Sequence, residues 1–186
     1  MYDDLIAEII QYSDINTMNS TLCVSNFTNH ATKKLPLYIE CARIKSLDFD
    51  HSIKHGSLPL VKYFYIGQDT KAKFADVCFM GHIEVAKWLY KLNALYVKEK
   101  HLEIFRYTCY EGQLEVAQWL HSIYPINLQF EKSIFEGSCY HGKLDVAQWL
   151  YSCGIKINKG CVDFLATFSR GRGYPDVYNW LHSLNL

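Results

Sequence analysis

The sequence has no excess of charge of either sign. Its 186 residues contain 19 Lys and Arg against 19 Asp and Glu, so the formal net charge at pH 7 is +0. Proteins that bind nucleic acids present a basic surface that attracts the phosphate backbone. This balance supplies no such field overall, and we therefore expect no nucleic-acid partner.

Long apolar runs and a secretory leader are also missing. No apolar stretch reaches the ~18 residues that a membrane-spanning helix needs. The first ten residues, MYDDLIAEII, contain three acidic residues and no basic segment, unlike a secretory signal peptide. These absences predict a cytoplasmic protein that has no membrane partner.

The sequence contains none of the common catalytic or metal-binding signatures. Its seven cysteines include no CxxC pair, which zinc sites commonly use, and their odd number fits a reducing, intracellular setting. GxSxG, Walker and kinase motifs are absent. His51 and His55 are four residues apart, but Ser52 stands where a metalloprotease HExxH motif has glutamate. We therefore expect no catalytic residue, no metal and no cofactor.

What the sequence does contain is a repeated decamer. GHIEVAKWLY begins at Gly81, GQLEVAQWLH at Gly112 and GKLDVAQWLY at Gly142. Three further columns keep the same register: phenylalanine seven residues before each glycine, cysteine three before it and tryptophan seven after it. These columns are Phe74, Phe105 and Phe135; Cys78, Cys109 and Cys139; and Trp88, Trp119 and Trp149.

Weaker copies extend the array in both directions. One begins at Gly56, and another begins at Gly173 with Trp180 in register. Phe164 and Gly171 fit this last copy only if two residues are inserted before Tyr174. The array therefore comprises five repeats over residues 46–186, and a fixed period of this kind is typical of stacked repeat architectures.

Each repeat reads as two helices separated by the glycine. Glycine suits a helix C-cap because it adopts positive φ without a steric penalty. The apolar residues of 83–92 cover more than one stripe of a helix, so we expect neighbours on two sides. A pair that cannot bury these faces alone must stack on its copies. The tryptophan column is then interpreted as packing between repeats, and the cysteine column as small buried residues.

The repeat resembles the ankyrin family, whose pattern TPLHLAAxxGHLEVVKLLL recurs about every 33 residues. GHIEVAKWL, GQLEVAQWL and GKLDVAQWL match its second half, whereas AKFA, EIFR and SIFE replace TPLH. The shorter period implies trimmed β-hairpin fingers between repeats. The form rich in Phe, Trp and Cys is similar to ankyrin proteins of large DNA viruses, which implies the host cytoplasm. The resemblance implies an all-α, ankyrin-like helical repeat solenoid.

Residues 1–45 do not follow the repeat and form a small helical N-terminal module. DLIAEIIQYSD and LCVSNF resemble an F-box, which implies docking on the Skp-type adaptor of a cullin–RING ubiquitin ligase. The docking stripe would be Leu5, Ile6, Ile9 and Ile10. Alternatively, these helices only cap the first repeat, since terminal repeats need atypical, solvated ends.

The ankyrin resemblance also implies a concave binding face. It would carry the residue after the phenylalanine column and the two residues before each glycine. These are Phe79, Met80, Arg106, Tyr110, Glu111, Glu136, Tyr140 and His141. Aromatic residues and arginine are enriched in interface hot spots, but the aromatics here could instead complete packing between first helices.

The sequence therefore predicts a non-catalytic protein-binding module. In the favoured interpretation it is an adaptor that presents a bound target protein to a ubiquitin ligase through the F-box-like segment. In the alternative it is a stand-alone ankyrin-type binding or scaffold protein whose N-terminus is only a cap.

Overall fold

A computed structural model describes residues 48–184, apart from the side chains of Pro59 and Tyr63. The helices in this range are α1 (Phe49–His55), α2 (Leu58–Phe64), α3 (Lys71–Met80), α4 (Ile83–Glu111), α5 (Leu114–Ile123), α6 (Lys132–Tyr140), α7 (Leu144–Ser152), α8 (Lys159–Arg172) and α9 (Pro175–Ser183). A 3₁₀ turn, Leu128–Phe130, precedes α6. Residues 48–184 contain no strand, so the all-α prediction is confirmed for this range.

The described residues fall into two compact parts, 48–69 and 70–184. The first part contains α1 and α2, separated by Gly56 at φ +70°. The Asp48 carboxylate accepts a hydrogen bond from the His51 N–H at 2.7 Å and caps α1. Such a cap satisfies one of the free N–H groups of the first turn. The part therefore begins as a capped helix pair of the kind that the sequence predicts.

The second part contains four more helix pairs, each turning at a glycine. The glycines adopt positive φ: Gly81 +82°, Gly112 +82°, Gly142 +70° and Gly173 +78°. At every turn the glycine N–H donates to the carbonyl three residues earlier, and the next N–H donates to the carbonyl five earlier than itself. This is the Schellman pattern, and the predicted glycine caps are confirmed.

The last pair settles the register at the C-terminal end of the array. Helix α8 continues through Gly171 to Arg172 and ends at Gly173. Counting seven residues back from this glycine places buried Ala166 at the phenylalanine column, whereas Phe164 is 60% exposed. The alternative register through Phe164 and Gly171 is therefore wrong, because Gly173 is the residue that provides the left-handed cap.

Helix α4 joins two pairs without a loop. Its residues 83–92 form the second helix of one pair, and its residues after Asn93 form the first helix of the next. Asn93 itself has non-helical angles, φ −124° and ψ 21°. Its buried side chain donates from Nδ2 to Thr70 Oγ1 and to the Leu89 carbonyl, both at 2.8 Å. The sequence predicts a trimmed hairpin finger here, and the structure has a kinked helix instead.

The tryptophan column packs against the preceding pair. The distances between ring centroids are 6.4 Å for Phe74–Trp119, 6.1 Å for Phe105–Trp149 and 6.1 Å for Phe135–Trp180. Each phenylalanine is fully buried, whereas the tryptophans are half-buried. The packing interpretation is confirmed for these three tryptophans, which lie at the edge of the core rather than at its centre.

The cysteine column lies inside the core. Cys78, Cys109 and Cys139 have no exposed surface. Burial raises the pKa of all three thiols, that of Cys139 to about 12, because a thiolate is poorly solvated there. No group of three or more metal-ligating side chains occurs within residues 48–184. The interpretation of this column as small buried residues is confirmed.

Candidate protein-binding surface

The first helices of the second part end in a row of exposed side chains. The residues that directly precede the cap glycines are Met80, Glu111, His141 and Arg172, and all four are exposed. Because the four turns share one hydrogen-bond pattern, these residues hold equivalent positions in successive pairs. We call them the pre-glycine row. The sequence predicted the first three of these residues, and the structure adds Arg172, which precedes the predicted start of the last copy at Gly173.

Phe79, Tyr110 and Tyr140 stand one position before the residues of the pre-glycine row. They are half-buried, and Phe79 and Tyr140 pack against the first helix of the next pair. Phe79 contacts Tyr107, with 5.8 Å between ring centroids, and Tyr140 contacts Phe168 at 4.7 Å. These contacts follow the packing alternative that the sequence left open. The same rings border the exposed face of the first helices, so a partner bound to that face would contact them.

Tyr110 occupies space that Gly137 leaves free. A Cβ atom at Gly137 would overlap the Tyr110 ring. The Tyr110 hydroxyl donates to the Ser133 carbonyl at 3.4 Å, and its ring stacks on His141 with 5.4 Å between centroids and 6° between planes. Burial raises the pKa of the Tyr110 phenol. The ring is therefore held flat across α6, with one side covered by an exposed imidazole.

Two strongly exposed aromatic residues were not assigned to this surface by sequence reasoning, which considered Phe164 only for the phenylalanine column. Tyr107 is 49% exposed, and its ring centroid lies 6.0 Å from that of Tyr110. Phe164 is 60% exposed, and its ring centroid lies 6.3 Å from that of Tyr140. The helical spacing of three residues between Tyr107 and Tyr110 was the available signal. Together these side chains form what we call the aromatic band, which crosses α3, α4, α6 and α8: Phe79, Tyr107, Tyr110, Tyr140, Phe164 and Phe168.

Arg106 and Glu136 are half-buried and paired with neighbouring charges. Arg106 Nη2 lies 3.6 Å from a Glu131 oxygen, and Lys132 Nζ lies 3.1 Å from Glu136 Oε1. The Cys161 thiol also donates to Glu136 at 3.4 Å. The Arg106–Glu131 contact joins α4 to the start of α6 and the Cys161–Glu136 contact joins α8 to α6, whereas Lys132–Glu136 lies within α6; both predicted residues therefore have roles within the array.

Unlike Arg106 and Glu136, the charged residues Glu111 and Arg172 of the pre-glycine row are in no ion pair within the described residues. Glu111 borders an open groove of about 360 Å³ along the turns, where Asp145, Asp176 and Lys143 also lie. The Arg172 guanidinium lies 5.1 Å from the centre of the Phe168 ring. Glu111 and Arg172 thus present opposite charges beside the aromatic band.

The remaining sequence predictions concern the docking stripe, the two histidines in α1 and the absence of membrane-spanning helices. Leu5, Ile6, Ile9 and Ile10, the predicted docking stripe, lie outside the described residues. The rings of His51 and His55 lie 4.2 Å apart between centroids. None of the helices within 48–184 is both long and apolar enough to cross a membrane.

The described fold and surface define an all-helical array of glycine-capped helix pairs with an aromatic band along its first helices. In comparisons with known proteins, no protein-family model, no curated protein and no solved structure matches the chain.

Proposed function

We propose that the chain is a non-catalytic protein-binding module that engages its target through the aromatic band. The observation that carries this proposal is the exposure of Tyr107 and Phe164, 49% and 60%, on helices whose opposite faces are fully buried. Large aromatic side chains supply much of the free energy of protein association when they are desolvated. Their contact with half-buried neighbours holds them in place, which lowers the entropy lost on binding.

The repeat architecture supports the same function. Stacked helix pairs build an extended face on which side chains at one position recur in every pair. In this chain the caps and the core columns hold nearly the same residues in successive pairs, whereas the pre-glycine row changes from Met80 to Glu111, His141 and Arg172. Constant core positions and varied surface positions suit an ankyrin-like array that is specific for one partner.

We further propose that the bound target is presented to a cullin–RING ubiquitin ligase, in the cytoplasm of a host cell. This step rests on the F-box-like sequence of residues 1–45, with Leu5, Ile6, Ile9 and Ile10 as the docking stripe. The rival is a stand-alone binding or scaffold protein in which the same stripe only caps the array. The two differ in whether Ile9 contacts another protein.

The adaptor step is tested by mixing the purified chain with a Skp-type adaptor and measuring co-elution and binding heat. We expect binding that Ile9→Asp abolishes and that Tyr107→Ser leaves intact. A melting curve for each variant separates lost docking from lost folding. Absence of binding, or equal loss with both variants, would contradict the ligase link and leave the stand-alone module.

The binding surface is tested separately with Tyr107→Ser/Phe164→Ser. Affinity capture from host-cell extract, quantified against this double variant, should give a target that the wild type retains and the variant loses. The matched control is Leu95→Ser, which removes an 81% exposed apolar residue away from the band. A target kept equally by all three proteins would place the binding surface elsewhere.

A further inference from the structure

The pre-glycine row carries opposite charges two helix pairs apart, and this arrangement restricts what the aromatic band can bind. Glu111 ends the first helix of one pair, and Arg172 ends the first helix of the second pair after it. His141 lies between them in the row and stacks on Tyr110. The inference rests on the proposed protein-binding function and names the chemical class of the partner.

The Glu111 end favours a cation. The groove beside it is bordered by the carboxylates of Glu111, Asp145 and Asp176 and by one ammonium group, that of Lys143. The Lys143 side chain packs over Gly112, with its Cδ atom 2.7 Å from where a glycine Cβ would be. Asp176 belongs to the last pair, as Arg172 does, so at the Glu111 end the carboxylates of Glu111 and Asp145 stand against the one ammonium of Lys143 and leave net negative charge. A lysine or arginine of a partner would offset it.

The Arg172 end favours a carboxylate. Its guanidinium lies over the Phe168 ring, a position that orients the planar group while leaving its N–H donors for other partners. Among the described residues, Arg172 forms no ion pair, and the residue is exposed. A carboxylate can accept two parallel hydrogen bonds from such a group.

Between the two charges the surface is aromatic. The Tyr110–His141 stack and the Tyr140 ring lie there, with Tyr107 and Phe164 exposed on either side. Packed helices are separated by roughly 8–10 Å, so two steps span roughly 16–20 Å. An extended chain advances about 3.3 Å per residue, and about five or six residues therefore cover the distance.

We propose that the band binds an extended peptide segment with a basic residue at one end, an acidic residue about five or six positions away and an apolar or aromatic residue between them. The basic residue faces Glu111 and the acidic residue faces Arg172. Because the two charges differ, the segment binds in one direction only. Charge complementarity of this kind governs specificity and orientation more than total affinity.

The test selects binders for the full-length chain from a displayed library of random twelve-residue peptides. A charge-swapped variant, Glu111→Arg/Arg172→Glu, has the same net charge as the wild type. The matched control, Glu99→Arg/Lys156→Glu, swaps two exposed charges outside the pre-glycine row, one within α4 and one in the connection before α8. Tyr107→Ser/Phe164→Ser removes the exposed aromatic rings and keeps every charge.

We expect the wild type and the matched control to select peptides of the stated pattern in one orientation. The charge-swapped variant should select the reversed orientation and bind wild-type peptides on the order of tenfold more weakly, since two attractive contacts become repulsive. Selected peptides that lack the charge pattern, or that ignore the swap while depending on Tyr107 and Phe164, would overturn this inference and leave the proposed function in place. Failure to select any peptide dependent on the aromatic residues would overturn the inference and remove support from the proposed surface as well.

Discussion

The indole of Trp149 meets the buried ring of Phe105 edge-on, with 6.1 Å between centroids and 65° between planes. The same indole meets His121 at 6.0 Å, so one side chain contacts both helices of the preceding pair. Aromatic pairs in this geometry contribute about 0.5–1.5 kcal/mol beyond the area they bury. The tryptophan column therefore links the pairs energetically as well as in sequence.

Replacing Trp149 with alanine should lower the free energy of unfolding by about 2–3 kcal/mol. Fully buried aromatic residues cost about 3–5 kcal/mol when truncated, and Trp149 is only half-buried. Urea denaturation measures the change. Phe164→Ala is the control: this ring is 60% exposed, and we expect a loss of about 0.5 kcal/mol or less. Equal losses for the two variants would show that Trp149 does not link the pairs.

Substitutions at Gly137 and Tyr110 should be energetically coupled. Gly137→Ala should destabilise the fold when Tyr110 is present and stabilise it when Tyr110 is replaced by alanine. In the wild type, Gly137→Ala places a Cβ in the Tyr110 ring and should destabilise the fold by about 1–3 kcal/mol. In a Tyr110→Ala background the space is free, and the better helix propensity of alanine should stabilise the fold by up to about 1 kcal/mol.

A double-mutant cycle followed by denaturant unfolding gives this coupling free energy directly. If Gly137→Ala has the same effect in both backgrounds, the overlap with Tyr110 is not what requires glycine in α6.

The cap glycines should differ in their tolerance of alanine. Gly142 and Gly173 have similar angles, φ +70° and +78°, so each substitution incurs the left-handed strain of roughly 1–2 kcal/mol. A Cβ at Gly142 would also lie 2.7 Å from the Tyr174 ring, whereas nothing lies within 4 Å of one at Gly173.

We expect Gly142→Ala to destabilise the fold by about 1–3 kcal/mol more than Gly173→Ala. Thermal melts of the two variants, measured side by side, check the order. The reverse order would mean that the tyrosine moves aside without cost.

Alkaline pH should weaken the fold through the buried thiols. Burial raises the Cys139 pKa from its usual 9.0 to about 12. Below pH 9 the thiol is protonated in both states, and above it only the unfolded chain releases the proton. The free energy of unfolding therefore falls as pH rises through this window, by up to about 1.4 kcal/mol per pH unit for one thiol.

Cys139→Ala should make this decline shallower by up to that amount, as measured by urea denaturation at pH 8, 9 and 10. The comparison uses slopes, so any loss of stability common to all pH values cancels. Parallel curves for the variant and the wild type would contradict the assignment of the pH dependence to Cys139.

The sequence predicted the helix pairs because glycine caps and core columns are local and repeat with a period. It did not predict the break at Asn93, since this depends on a hydrogen bond to Thr70, 23 residues earlier. It also gave no sign that residues after Asn93 would stay helical in place of a finger. The sequence of one repeat does not by itself determine whether its connection to the next repeat is a loop or a continuous helix.

The surface was predicted less completely than the fold. Met80, Glu111 and His141 were found because they precede the glycines of the three strong copies, and Arg172 was missed because the copy at Gly173 is a weak one whose phenylalanine column does not fit. The left-handed angle at Gly173 confirms that the last copy begins there. Exposure of Tyr107 depends on how neighbouring helices pack, which one repeat considered alone does not reveal.

The continuous helix α4 also bears on how such an array can gain or lose repeats in evolution. Recombination within the connections 124–131 or 153–158 would insert or delete a helix pair and leave the flanking helices whole. At Asn93 the same event would cut through one helix and remove the contact that anchors it to Thr70. The two pairs joined by α4 are therefore expected to be inherited together, while pairs beyond them can be exchanged singly.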